Sequence, residues 1–275
     1  MTIEEVKRLL QHYNIYPRKE QGQNFLLDDS VITDSIKAAH LTEGDTVLEI
    51  GPGFGALTTA LSKAVGETGK VIAVEQDRVL AAGLTKQKRL YPNLTIINED
   101  VRTVNLPEAG LEDLSYKLVA NLPYSITSWI IRHFLEQQPR PQSLTVLVQK
   151  EVAERMAAEP GAMSVLSVAT QLYAEPTIIR LVPPESFYPA PKVDSAIIHL
   201  ERRTAPLSET PEDLMRLVNI GFSSKRKQLH NNLSNGLQIS SEDAKRLINK
   251  AHLDPTVRPQ ELTIQNWIEL FEQTQ

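Results

Sequence analysis

The sequence contains no cysteine. That excludes a disulfide framework and any thiolate-ligated metal or iron–sulfur centre, and it suits a reducing compartment. No apolar run is long enough to cross a bilayer. The longest mostly apolar stretch, 162–174, is too short and carries Ser, Thr and Gln. The first residues, MTIEEVKRLLQHYN, are amphipathic and charged, without the apolar centre of a secretory signal. A cytoplasmic protein with no membrane partner is expected. Nor is there an excess of positive charge: the formal net charge is −5, which taken alone counts against a nucleic-acid partner.

The charge is nevertheless uneven. Residues 202–275 hold ten Lys and Arg against nine Asp and Glu, whereas the rest of the chain holds 19 against 25. A phosphate-binding surface must therefore be a local patch. Candidates are Arg18-Lys19, Arg202-Arg203 and Lys225-Arg226-Lys227. The plainer reading of such short runs is a solvated helix face.

What the sequence does contain is alternation. Seven apolar, β-rich runs occur at 46–50, 70–75, 94–98, 118–121, 144–149, 177–182 and 195–201. The early ones are almost continuously apolar, as strands covered on both faces of a parallel sheet must be. Helical patterns lie at 30–40, 56–64, 78–90, 126–137 and 151–158, with Asp28, Asp29 and Ser30 as candidate caps of the first. This order predicts an α/β fold with a doubly wound, mostly parallel seven-stranded, Rossmann-like sheet. After Arg203 a short Pro- and Ser-containing linker leads into four helical stretches near 211–222, 224–235, 241–250 and 260–273. At 275 residues the chain has room for both parts. The expected domains are 1–203 and a small C-terminal all-helical one, 204–275.

Glu49-Ile-Gly51-Pro-Gly53-Phe-Gly55-Ala56 stands where the first strand ends and a helix begins. Glycines so closely spaced let the backbone pass near a ligand in conformations closed to other residues. Glu75 follows at the end of the second strand, as a carboxylate holding a ribose diol would. The loop alone fits a dinucleotide or S-adenosylmethionine equally. Two acidic residues favour the latter: Glu49, before the first glycine, where an amino-acid tail would lie, and Asp100, after the third strand, placed to accept an adenine amine. Open α/β sheets bind ligands at the carboxyl ends of their strands, where Glu49, Gly51, Glu75, Asp100 and Asn121 are all predicted to sit.

Asn121-Leu122-Pro123-Tyr124 ends the fourth strand. By itself it reads as a turn: Asn tolerates unusual backbone angles, Pro fixes one dihedral and Tyr packs. Beside a methyl donor it reads otherwise. The lone pair of an adenine N6 is delocalised into the ring, so the amine is a poor nucleophile. The Asn121 side-chain oxygen and the Leu122 carbonyl are acceptors for its two N–H bonds. Pro123 removes a donor and stiffens the turn, and Tyr124 offers a ring for stacking. Such a base must leave its own stack to be reached.

These motifs, taken in order, resemble the family of rRNA adenine N6,N6-dimethyltransferases. The matching segments are Gly22-Gln-Asn-Phe-Leu26, Glu49-Ile-Gly-Pro-Gly53, Asn121-Leu-Pro-Tyr124, Gln149-Lys-Glu-Val-Ala153, Phe187-Tyr-Pro-Ala-Pro-Lys-Val-Asp-Ser195 and Phe222-Ser-Ser-Lys-Arg-Lys-Gln-Leu229. The resemblance is strongest to bacterial small-subunit members, which act on two adjacent adenosines in the 3′-terminal hairpin loop of 16S rRNA. It implies S-adenosylmethionine as cofactor and no metal. Asn24 and Leu26 would close over the donor, with Glu49, Gly51 and Gly53 at its methionine moiety, Glu75 at the ribose and Asp100 at the adenine. Asn121, Leu122, Pro123 and Tyr124 would hold the target base, with Phe187 stacked on its other face, although an aromatic in a proline-rich loop is more often a packing residue. Lys225, Arg226 and Lys227, with Arg202 and Arg203, would contact RNA. The implied partner is 16S rRNA in an immature 30S subunit, met by a monomer.

Ser125 departs from the family, where Asn often follows the tyrosine. Competing readings are a 23S rRNA dimethyltransferase conferring antibiotic resistance, a nucleic-acid-binding factor of the same fold, and an NAD oxidoreductase. The last lacks an evident acid or base for hydride transfer, because the six histidines are scattered along the chain.

Overall fold

A computed structural model of the chain describes residues 1–15 and 23–275. Arg18, Lys19 and Gly22 lie outside the described residues. In chain order the elements are α1 (Ile3–His12), β1 (Phe25–Leu26), α2 (Asp29–Ala38), β2 (Thr46–Ile50), α3 (Ala56–Ala64), β3 (Lys70–Val74), α4 (Arg78–Gln87) and β4 (Leu94–Ile97). Then come β5 (Lys117–Asn121), α5 (Thr127–Glu136), β6 (Ser143–Gln149), α6 (Lys150–Met156), α7 (Val165–Tyr173), β7 (Ala174–Val182), β8 (Phe187–Tyr188) and β9 (Ser195–Arg202). The last four helices are α8 (Pro211–Gly221), α9 (Leu229–Leu237), α10 (Ser241–Lys250) and α11 (Ile264–Glu272).

Seven strands form one sheet in the order β4-β3-β2-β5-β6-β9-β7. The pairs β2/β3, β3/β4, β2/β5 and β5/β6 are parallel, and β6/β9 is antiparallel. The chain winds outward from β2 to β4, then returns to place β5 on the other side of β2. That reversal opens a crevice beyond the carboxyl ends of β2 and β5, where an open α/β sheet binds its ligand. The strands are dry because their residues are apolar on both faces: Val47, Leu48, Val71, Ala73, Leu118, Val119, Val146 and Ile197 are fully buried. Side-chain caps start α2 and α4. Asp28 accepts from the Ser30 N–H at the start of α2, and Asp77 from the Val79 N–H at the start of α4, at 2.9 and 2.8 Å.

Two strands escape sequence periodicity. β1 and β8 are two residues each and pair antiparallel, Phe25 with Tyr188 and Leu26 with Phe187. A pair that short has no period to read.

The chain divides into two compact units, Met1–Ala153 with Thr177–Arg202, and Glu154–Pro176 with Arg203–Gln275. A single cut after Arg203 therefore misplaces residues 154–176. They join the second unit because α7 is apolar around most of its circumference. Leu166, Val168, Ala169, Leu172 and Tyr173 are all buried, and α7 packs on α8 and α11. The apolar stretch noted at 162–174 is this core helix. A helix expected over 224–235 begins later, at Leu229. Ser223 to Lys227 offer a helix no apolar face, whereas Leu229 and Leu233 are fully buried. Among the described residues, no helix is long and apolar enough to cross a membrane.

Candidate active site

The crevice is a cavity of about 760 Å³ in the first unit. Its walls come from Asn24 and Leu26 near β1, Glu49 to Gly53 after β2, and Glu75 with the start of α4 after β3. Glu99, Val101 and Arg102 after β4 and Asn121 to Ile126 after β5 complete it. Sequence-distant segments thus meet because each follows the carboxyl end of a neighbouring strand.

The glycine loop owes its path to backbone angles that side chains resist. Gly51 and Gly53 have φ of +67° and +59°, and a Cβ on Gly53 would stand 3.3 Å from the Phe25 ring. The Gly51 N–H donates to the Val74 carbonyl at 2.9 Å, which ties the loop to β3. The Gly53 N–H donates to Glu75 Oε2 at 3.1 Å, and the Asp77 N–H donates to Oε1 at 2.8 Å. Helix α3 starts at Gly55 with no side-chain cap, and its first residues, Ala56 and Leu57, face the cavity.

Two carboxylates lie at the base of the loop. Glu49 is 1% exposed, and its Oε2 has no hydrogen-bond partner. Burial pushes its carboxyl up to about 8, helped by the neighbouring Glu75 and opposed by the Thr58 hydroxyl. Burial also raises Glu75, against the Asp77 and Gly53 N–H groups that favour its charged form. A cationic ligand would favour the ionised form of both acids, whereas a pyrophosphate would favour neither. The residues present therefore fit S-adenosylmethionine, whose sulfur and ammonium are positive.

Across the cavity, the Asn121 side-chain amide donates to the Asn24 carbonyl at 3.3 Å. That bond engages the amide nitrogen and leaves the oxygen as the acceptor end. The Leu122 N–H donates to the Leu147 carbonyl of β6 at 3.1 Å, and the Thr127 hydroxyl to the Pro123 carbonyl at 3.0 Å. Tyr124, half-buried, shares a hydrogen bond of 2.7 Å with the Ser195 hydroxyl.

A family model described as ribosomal RNA adenine dimethylase matches residues 16–275. The chain belongs to the ribosomal RNA adenine dimethylase family. This dimethylase is an S-adenosylmethionine-dependent enzyme acting on rRNA, as its motifs imply. It is 39% identical over 96% of its length to the "Ribosomal RNA small subunit methyltransferase A" of Dehalococcoides mccartyi strain 195, covering 90% of that protein. It is 38% identical over 97% of its length to the same-named protein of Clostridium botulinum, covering 97% of it. Among solved structures, a dimethyladenosine transferase from Plasmodium falciparum superposes with TM-score 0.75 at 25% identity, covering 90% of this chain and 95% of that one. The 23S rRNA methyltransferase ErmE gives 0.73 at 29% identity, covering 91% and 99%.

The dimethylase cavity gathers Asn24, Leu26, Glu49, Gly51, Gly53, Glu75, Asn121, Leu122, Pro123 and Tyr124. It does not gather the seven other candidates among the described residues. Asp100 lies outside the lining, although Glu99, Val101 and Arg102 are in it. Both Asp100 oxygens are taken by Arg102, at 2.5 to 3.1 Å, and this hydrogen bonding holds the carboxyl below its usual range. Phe187 is 3% exposed and packs with Leu26, Val31 and Val182, so in this arrangement its ring is core and offers no open stacking face. The Arg202 guanidinium donates to the Phe134, Leu135 and Pro141 carbonyls, satisfying the end of α5. Arg203 is held by Glu175 at 2.7 Å and by the Gln171 carbonyl. Arg202, the last residue of β9, and Arg203 beside it are thus both engaged with protein groups. Lys225, Arg226 and Lys227 stand exposed in the turn before α9.

The apolar side of the cavity went unread in the sequence. Phe25 and Phe54 meet there at 4.5 Å between ring centroids, and Val79, Leu80 and Val101 join them. Phe25 and Phe54 sit inside quoted motifs, so adjacency to the glycines was their only signal.

Proposed function

We propose that this enzyme transfers methyl groups to N6 of two adjacent adenosines in the 3′-terminal hairpin loop of 16S rRNA, giving N6,N6-dimethyladenosine. The observation that carries this reading is that one cavity is lined both by the carboxylates suited to a cationic donor and by the Asn121–Tyr124 turn. The names of the curated relatives, which span nearly the whole chain, favour a small-subunit target over a 23S one.

When bound, S-adenosylmethionine supplies an electrophilic methyl on a positively charged sulfur. Glu75 faces the ribose hydroxyls, Glu49, Gly51 and Gly53 the methionine portion, and Asn24 and Leu26 the outer side. Asn121 Oδ1 and the Leu122 carbonyl accept from the two N–H bonds of the adenine amine. Those contacts hold the nitrogen and favour a more tetrahedral geometry, so positioning and fixed dipoles supply the rate. The Tyr124 ring stacks on the extruded base. Asp100 would reach an adenine amine only after release from Arg102. Lys225, Arg226 and Lys227, in the helical unit, grip RNA phosphates. The overall negative charge supports a substrate presented by an immature 30S particle, because naked RNA would meet weak attraction. The enzyme acts in the cytoplasm as a single copy of the chain.

Incubation with tritiated S-adenosylmethionine and undermethylated 30S subunits, followed by nucleoside analysis, tests this. Labelled N6,N6-dimethyladenosine from 16S rRNA is expected. Label confined to 23S rRNA in a parallel 50S reaction would instead support the resistance-type activity. Equal turnover on protein-free 16S rRNA would remove the requirement for a particle.

A further inference from the structure

Tyr124 lies in a turn with no regular structure of its own, between β5 and α5. Its backbone is fixed by neighbours: Leu122 bonds to Leu147, and the Ile126 N–H and Thr127 hydroxyl both donate to the Pro123 carbonyl. None of these reaches the ring. Among the described residues, one hydrogen bond holds the far end of the ring, 2.7 Å between its hydroxyl and Ser195 Oγ.

Ser195 is fully buried at the first position of β9. Its strand partner is Gln149, and the next residue of that segment, Lys150, donates its N–H to the Asp194 carbonyl at 2.9 Å. Two of the quoted motifs, Gln149–Ala153 and Phe187–Ser195, thus meet at the residue bonded to Tyr124. A serine without solvent access keeps its hydroxyl for one partner, because no water competes for it.

We infer that Ser195 is a positioning residue for methyl transfer, anchoring the Tyr124 hydroxyl so that the ring presents a fixed face to the target base. This rests on the function proposed above for Tyr124. A ring pivoting on its Cα–Cβ bond would stack in several poses, only some of which leave the adenine amine at Asn121. The anchor therefore acts on turnover more than on donor binding.

Ser195→Ala and Tyr124→Phe each delete the bond from one side. A neutral hydrogen bond predicts a loss in kcat of about 5- to 10-fold for either variant on undermethylated 30S subunits. The Kd for S-adenosylmethionine should be nearly unchanged, and the Tm should fall by no more than a few degrees. Ser195→Thr, which restores a hydroxyl, should recover most of the rate, and the double variant should be no slower than the worse single one. In protein carrying 13Cζ-labelled tyrosine, the Tyr124 resonance should move in Ser195→Ala and return in Ser195→Thr, with no substrate present. An unmoved resonance, wild-type kcat in Ser195→Ala or Tyr124→Phe, or additive losses in the double variant would overturn the inference. If Ser195→Ala does not fold, Tyr124→Phe leaves β9 untouched and decides the matter. Absence of dimethyladenosine with the wild-type enzyme would count against the proposed function, while the labelled-tyrosine measurement would still decide the anchor.

Discussion

The Asn121 amide nitrogen donates to the Asn24 carbonyl at 3.3 Å, and this leaves the amide oxygen as the acceptor end of the side chain. An amide can present a donor or an acceptor, and only the acceptor suits an amine. The segment before β1 thereby sets the polarity of a group almost a hundred residues away.

Asn121→Ala should lower kcat on 30S subunits by roughly 10²- to 10³-fold, the scale of losing a preorganised polar contact. The donor Kd should change little. Single-turnover methylation with calorimetry separates the two, and wild-type turnover would remove Asn121 from the chemistry.

Glu75→Ala should weaken S-adenosylmethionine binding by about 10- to 100-fold, as expected for lost hydrogen bonds to a charged group. Asp100→Ala should cost less, because Arg102 already occupies that carboxylate. Calorimetry on both variants checks the ranking, and a larger loss at Asp100 would reverse it.

Glu49 gives the ligand-free protein a pH dependence whose sign is fixed. Its folded value, about 8, lies above the ordinary 4.5. The folded state therefore holds a proton that the unfolded chain has lost, so this contribution is fully present below 4.5 and disappears as pH rises through 8. The Tm should fall across that window, and Glu49→Gln should flatten the fall. A cationic donor favours ionised Glu49, so affinity for S-adenosylmethionine relative to the product S-adenosylhomocysteine, which keeps the ammonium but lacks the positive sulfur, should rise between pH 6.5 and 8.5. Titrations at several pH values test this, and equal slopes in wild type and Glu49→Gln would exclude Glu49 as the source.

Gly53→Ala should lower both stability and donor affinity. Its φ of +59° costs a side chain about 1–2 kcal/mol, and the new Cβ would press on Phe25 at 3.3 Å. A Tm lower by a few degrees with weaker donor binding is expected. Unchanged calorimetry would mean that the loop adapts.

Replacing Lys225, Arg226 and Lys227 together by Ala should weaken 30S binding and make it less salt-dependent, leaving donor Kd alone. Arg202→Ala should act differently. It removes the donors that serve the carbonyls of α5, so its signature is a lower Tm. Filter binding over a salt series, beside thermal unfolding, distinguishes them.

Apolar runs, a glycine loop and the Asn121–Tyr124 turn determined, from the sequence alone, a doubly wound sheet, its strand positions and the cavity's polar half. Those features are local: a strand buried on both faces must be apolar along its length, and a close backbone approach needs glycine. Tertiary structure alone decided the rest. It buried Phe187 against Leu26, spent Arg202 on the carbonyls of α5 and Arg203 on Glu175, and drew residues 154–176 into the helical unit. A charged or aromatic side chain has the same letter whether it meets a ligand or a neighbour, and the neighbour is set by contacts far apart in the chain.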